Sequence, residues 1–78
     1  MLDIKVLGPG CANCVRLEER TREAVDALGR EAEISKVTAY DEIMSYGIMA
    51  TPGLVVDGEV VVSGKVPSVR QLRGLLGG

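Results

Sequence analysis

The sequence has no tryptophan and no phenylalanine, and only two tyrosines. Its core must therefore be aliphatic, built from Val, Leu, Ile, Ala and Met. It has no long basic run and no aromatic stacking platform. Nine basic and eleven acidic residues leave a formal charge of -2. That balance argues against a nucleic-acid partner. The longest apolar runs fall far short of a membrane span, so no membrane partner is expected. No basic segment followed by an apolar stretch and a cleavage site is visible near Met1, so the expected location is the cytoplasm. Cysteine is scarce too: two residues, three apart, where a stapled secreted mini-protein would carry several. Closing so small a ring removes little entropy from the unfolded chain. The value of this pair is chemical rather than structural.

What is present is a chain of 78 residues, 46% hydrophobic, which suits one small folded domain spanning residues 1–78. Leu2-Asp3-Ile4-Lys5-Val6-Leu7 alternates and predicts a strand covered mainly on one face. Gly8-Pro9-Gly10 breaks it. Cys14, Leu17, Thr21, Ala24, Val25 and Leu28 then recur at helical spacing and form an inward stripe. Arg16, Glu18, Glu19, Arg22, Glu23 and Asp26 are assigned to the outer face, and Gly29 to the helix stop. Glu31 to Val37 predicts a second strand. Asp41 to Tyr46 suggests a short helix, with Asp41 as cap or in the acidic first turn, stopped by Gly47. Gly53 to Val56, Asp57-Gly58 and Glu59 to Val62 read as a hairpin with a tight two-residue turn. Ser68 and Gln71 resemble a capping box, ahead of a last helix carrying Val69, Leu72, Leu75 and Leu76. The order is β-α-β-α-β-β-α. The helix joining the first two strands makes them parallel, and the hairpin is antiparallel. A mixed four-stranded sheet with helices on both faces follows.

Cys11-Ala12-Asn13-Cys14 admits three readings: a redox pair, half of a structural zinc site, or a soft-metal transfer site. Structural zinc takes four ligands, and one chain offers two thiolates and no histidine. Only a dimer would complete that site. The redox reading has a geometric basis. Cys11 falls at the helix start, where free N–H groups and the helix dipole favour a thiolate. Cys14 falls one turn on, in the inward stripe. Cys11 is then the nucleophile, with an acidity above that of a free thiol, and Cys14 resolves the mixed disulfide. The alternative of two inert buried cysteines fits Cys14 better than Cys11. Glycines around Pro9 leave room for a substrate backbone.

Three stretches carry a wider likeness: Gly10 to Leu17, Gly47 to Gly53 (with Thr51-Pro52), and Val56 to Gly64. In this order and spacing the chain resembles the thioredoxin/glutaredoxin superfamily, and within it the short, glutaredoxin-sized small redox-active disulfide proteins. The likeness covers nearly the whole chain and implies an α/β thioredoxin-like fold. It implies a thiol-disulfide oxidoreductase, with Cys11 attacking and Cys14 resolving. It implies a cis bond at Thr51-Pro52 facing the dithiol, with both residues at the substrate. Gly10, Ala12 and Asn13 complete the expected substrate-binding set. No metal and no cofactor beyond the Cys11–Cys14 disulfide is expected. The partners are disulfide-containing proteins and a recycling reductase. The chain departs from typical members in several ways. It has Ala12-Asn13 between the cysteines, no tryptophan before them, and Ser63-Gly64-Lys65 in place of a glutathione-holding Gly-Gly and Asp arrangement. Asp3 and Lys5 are the only candidates for a buried proton-shuttling acid, and ordinary surface charges are the simpler reading of both.

Two other functions use the same cysteines. A ferredoxin-like copper(I) chaperone also places Cys-x-x-Cys between its first strand and helix, but its order ends on a strand. A redox-switched binding module would need only the change of disulfide state. Met44 and Met49 are assigned to the core, Tyr40 and Tyr46 to packed rings with wet hydroxyls. Val60-Val61-Val62 is either a buried strand or a covered edge. Ile48-Met49 and Gly64 are assigned to an apolar rim where a partner docks.

Overall fold

The computed structural model describes residues 2–48 and 50–77. The elements follow the expected order: β1 (Leu2–Leu7), α1 (Ala12–Leu28), β2 (Ala32–Val37), α2 (Tyr40–Ser45), β3 (Gly53–Val56), β4 (Glu59–Ser63) and α3 (Val69–Gly77). The sheet order is β2-β1-β3-β4. β1 pairs with β2 in parallel and with β3 antiparallel. β3 and β4 form the antiparallel hairpin. Asp57 and Gly58 turn it with φ of 50° and 84°, the positive angles that an Asp-Gly turn accepts. The register slips between Leu54 and Val55, so Val61 is the extra residue of a bulge in β4. The chain closes on a helix, not on a strand as a ferredoxin-like metal carrier does.

Strand alternation sorts the core into two layers. Leu2, Ile4 and Val6 of β1 and Leu54 of β3 face Leu17, Ala24 and Val25 of α1 and Leu72 and Leu76 of α3. Leu7, Val37 and Val55 face the other way and pack with Ile43 of α2 and Ile48. Helices α1 and α3 therefore share one side of the sheet, and α2 covers part of the other. A single α2 of six residues cannot cover a four-stranded face, so Asp3 and Lys5 on that side stay solvated. α1 ends where expected, at Gly29 with φ of 65°. α3 starts with the capping box: Gln71 N–H donates to Ser68 Oγ at 3.2 Å, and Ser68 N–H donates to Gln71 Oε1 at 3.0 Å.

Several assignments change. β2 begins at Ala32, one residue late. α2 starts at Tyr40, and its N-cap Ala39 offers no side-chain bond, so Asp41 lies in the first turn. Tyr40 is 69% exposed and Met44 52% exposed, against their assignment to the interior. In a six-residue helix the single inward position goes to Ile43, and its neighbours are left outside. Tyr46 packs at the edge of the second layer. Met49 lies outside the described residues. β4 is an edge strand, with Val62 buried and Val60 and Val61 half-buried. The largest departure is Glu18. Helical periodicity puts it on the outer face, yet it is only 9% exposed.

Candidate functional site

The site grows from the carboxyl end of β1. Gly8 extends the β1–β2 ladder by one bond, its N–H donating to Val37 O at 2.9 Å. Pro9 and Gly10 then lift the chain off the sheet, with Gly10 at φ of 93°, where a glycine costs nothing. Cys11 follows as the N-cap of α1, in extended conformation. Its Sγ accepts a hydrogen bond from the Cys14 N–H at 3.2 Å. No acidic side chain occupies the first turn of α1 to oppose a negative charge there. Cys11 is exposed, whereas Cys14 is 5% exposed. The two are joined in a disulfide, with Cα atoms 5.1 Å apart. Between them, Ala12 and Asn13 sit on the surface.

Cys14 lies against Gly8. A Cβ built on Gly8 would stand 2.2 Å from the Cys14 sulfur, so no other residue fits there without moving it. In the sequence pattern Gly8 shows only as a strand breaker. Nothing in the local pattern reveals that a sulfur packs on it.

The sheet brings the second and third motifs to the same end. Leu7 pairs with Gly53, which sets Pro52 beside the Gly8 end of β1. The Thr51-Pro52 bond is cis. Pro52 is buried and Thr51 exposed. Gly64 N–H donates to Pro52 O at 2.8 Å, which ties the loop after β4 to this turn. Gly64 has φ of 72°, and a Cβ on it would meet Ala50 Cβ at 2.9 Å. The three sequence stretches, far apart in the chain, thus meet at one end of the sheet. Asp3 and Lys5 do not join them. They project from the α2 side, away from α1, and are not buried behind the dithiol.

A carboxylate does lie near Cys14, and it is Glu18, one turn further along α1. Glu18 Oε1 meets Lys36 Nζ of β2 at 3.0 Å, and Oε2 meets Arg22 Nη2 at 3.0 Å. Burial pushes this carboxyl up, but the hydrogen bonds and charges of Lys36 and Arg22 outweigh it and hold the group below the usual range. The i,i+4 spacing from Cys14 was a usable signal, since residues four apart share a helix face. Lys36 carried none, because its partner is on another element.

The arrangement holds one exposed sulfur at a helix start, one sheltered sulfur bonded to it, and a neighbouring turn with a solvent-facing threonine. Such a pair can cycle between disulfide and dithiol. The sequence matches the thioredoxin domain family over residues 2–77. It is 45% identical over 76 residues to a thioredoxin of Methanothermobacter thermautotrophicus, covering 97% of this chain and 99% of that protein. It is 40% identical over 73 residues to a thioredoxin of Methanocaldococcus jannaschii, covering 94% of this chain and 84% of that one.

Proposed function

This chain belongs to the thioredoxin domain family and is a thiol-disulfide oxidoreductase, and we propose a division of labour within its site. Cys11 is the attacking residue. Its exposure and the N–H aimed at its sulfur favour the thiolate that does the chemistry. The thiolate attacks a disulfide of a protein substrate, one sulfur of that disulfide leaves, and a mixed disulfide forms. Cys14, held against Gly8 one turn away, then attacks the Cys11 sulfur. The Cys11–Cys14 bond forms as the bond to the substrate breaks, and the substrate departs reduced. The observation that carries this reading is the contrast between an exposed N-cap Cys11 and a buried Cys14 in one bonded pair.

Thr51, with Gly10, Ala12 and Asn13, forms the substrate-facing surface, and Pro52 lies buried behind Thr51 as its support. The exposure of Thr51, on the turn that the β1–β3 register sets at the Gly8 end of β1, and the exposed loop of Gly10 to Asn13 support this. The disulfide is itself the redox group, and the reading needs no further cofactor. A separate reductase returns it to the dithiol, and the reducing cytoplasm is where such a cycle runs. Among the described residues no helix is long and apolar enough to cross a membrane.

The test uses Cys11→Ser and Cys14→Ser with a protein disulfide as substrate. Cys11→Ser loses all exchange. Cys14→Ser forms a stable mixed disulfide through Cys11, visible by mass. If Cys14→Ser instead turns over at the parent rate, or Cys11→Ser traps the substrate, the assigned roles are wrong.

A further inference from the structure

The sheet has two edges, β2 and β4. An edge leaves a row of backbone N–H and C=O groups without a strand partner, and chains commonly blunt it with charges. β2 does so with Glu33 and Lys36, both exposed. β4 runs through Val60-Val61-Val62, with its one charge, Glu59, at the start. The bulge at Val61 bends this edge but adds no charge to it. Between β4 and α3 lies a groove of about 570 Å³. Val61, Val66, Pro67 and Leu75 supply its apolar lining, and Leu75 is 46% exposed. Gly74 also lines it, inside a helix, where glycine is disfavoured. A Cβ on Gly74 would meet nothing within 4 Å, so packing within the chain does not call for a glycine there.

We propose that a second copy of this chain covers this face, its β4 pairing antiparallel with the first to join the two sheets. The two-fold axis of such a pair stands perpendicular to the sheet near Val61. Both α3 helices then lie on one side of the joined sheet, and each groove is covered from across the axis. Charge selects a second copy as the occupant. Residues 60–78 contain Lys65, Arg70 and Arg73 and no acidic residue, whereas the hairpin turn before them carries Asp57 and Glu59. Counted outward from Val61, Asp57 of one copy faces Lys65 of the other, and Glu59 faces Ser63. Lys65 is thereby a diagonal neighbour of Glu59, within reach of a long side chain. Glu59 and Lys65 are exposed and form no ion pair among the described residues. The two-fold makes this contact twice. Parallel pairing would instead set Glu59 beside Glu59 and Lys65 beside Lys65. Cys11 follows β1, two strands in from this edge, so the dithiol stays open in the pair.

The test is sedimentation of the whole chain from about 10 μM to about 1 mM, the range of weak to moderate association. The expected result is a monomer–dimer equilibrium. Glu59→Lys and Lys65→Glu, each alone, put like charges at both contacts and weaken the dimer by about tenfold. Mixing the two variants restores it, because each contact again joins a cation to an anion. Rescue on mixing is the signature, since damage to either fold would persist in the mixture. A parent that stays monomeric throughout overturns the proposal, even one whose β4 takes up an extended peptide. So does a dimer that neither variant weakens, which would place the second copy on another face. If either variant fails to fold, as judged by circular dichroism, the parent decides. Amide exchange from Val60 to Ser63 must then slow as concentration rises, and exchange that ignores concentration refutes the pairing.

Discussion

At the scale of single residues, two cysteines of one type acquire different chemistry from their surroundings. Cys11 caps a helix in the open and Cys14 is packed on a glycine. Gly8 is the hidden partner in that difference. Gly8→Ala introduces a methyl group 2.2 Å from the Cys14 sulfur, so the sulfur must shift. Ring closure between reacting atoms is sensitive to displacements of this size. Gly8→Ala should therefore slow resolution by roughly tenfold or more and let the mixed disulfide accumulate. Acid-quenched alkylation followed by mass analysis measures it, and parent-like kinetics would show that the sulfur has room to spare. Residue type alone was a poor guide here. Met44 and Tyr40 are apolar or aromatic and lie outside; Glu18 is charged and lies inside.

At the scale of elements, the Glu18–Lys36 pair pins α1 to β2. Helical periodicity placed Cys14, Leu17, Thr21, Ala24 and Val25 correctly, because an apolar stripe at this spacing has one way to face a sheet. It misplaced Glu18 because charge was read as exposure. The cation that stabilises Glu18 inside belongs to β2, and no pattern within α1 could announce it. The pair carries a pH dependence. A carboxyl held below its ordinary range contributes stability above the unfolded value, about 4.3, and loses it as the pH falls through the folded one. Urea unfolding should therefore show stability falling on acidification below about pH 4.5, with a smaller fall in Glu18→Gln. An identical acid profile in the two proteins would mean that Glu18 is not ion-paired in solution. The short α2 shows the opposite limit of sequence reading. With six residues it has too few turns for periodicity to say which side is buried.

At the scale of the whole molecule, the sheet unites the site. Element order was legible, since each strand or helix carries its own period and its own punctuation at Gly29, Asp57-Gly58 and Ser68. The parallel sense of β1 and β2 followed from the intervening helix. Most of the stability should come from the two apolar layers rather than from the disulfide. A ring this small accounts for about 2 kcal/mol in the chain-entropy model. Reduction should therefore lower the unfolding free energy by about that amount and leave the native circular dichroism intact. Unfolding of the protein on reduction would instead make the pair structural. What could be known from residues in order was local: the dithiol at a helix start, the hairpin, the caps, and the family likeness those motifs carry. Such signals depend on neighbours within one turn or one strand pair. What required the folded chain was every relation between distant segments: the order β2-β1-β3-β4, Gly8 under the Cys14 sulfur, Gly64 bonded to Pro52, and Lys36 against Glu18. Those relations depend on packing energies shared across the sheet, which no local pattern records.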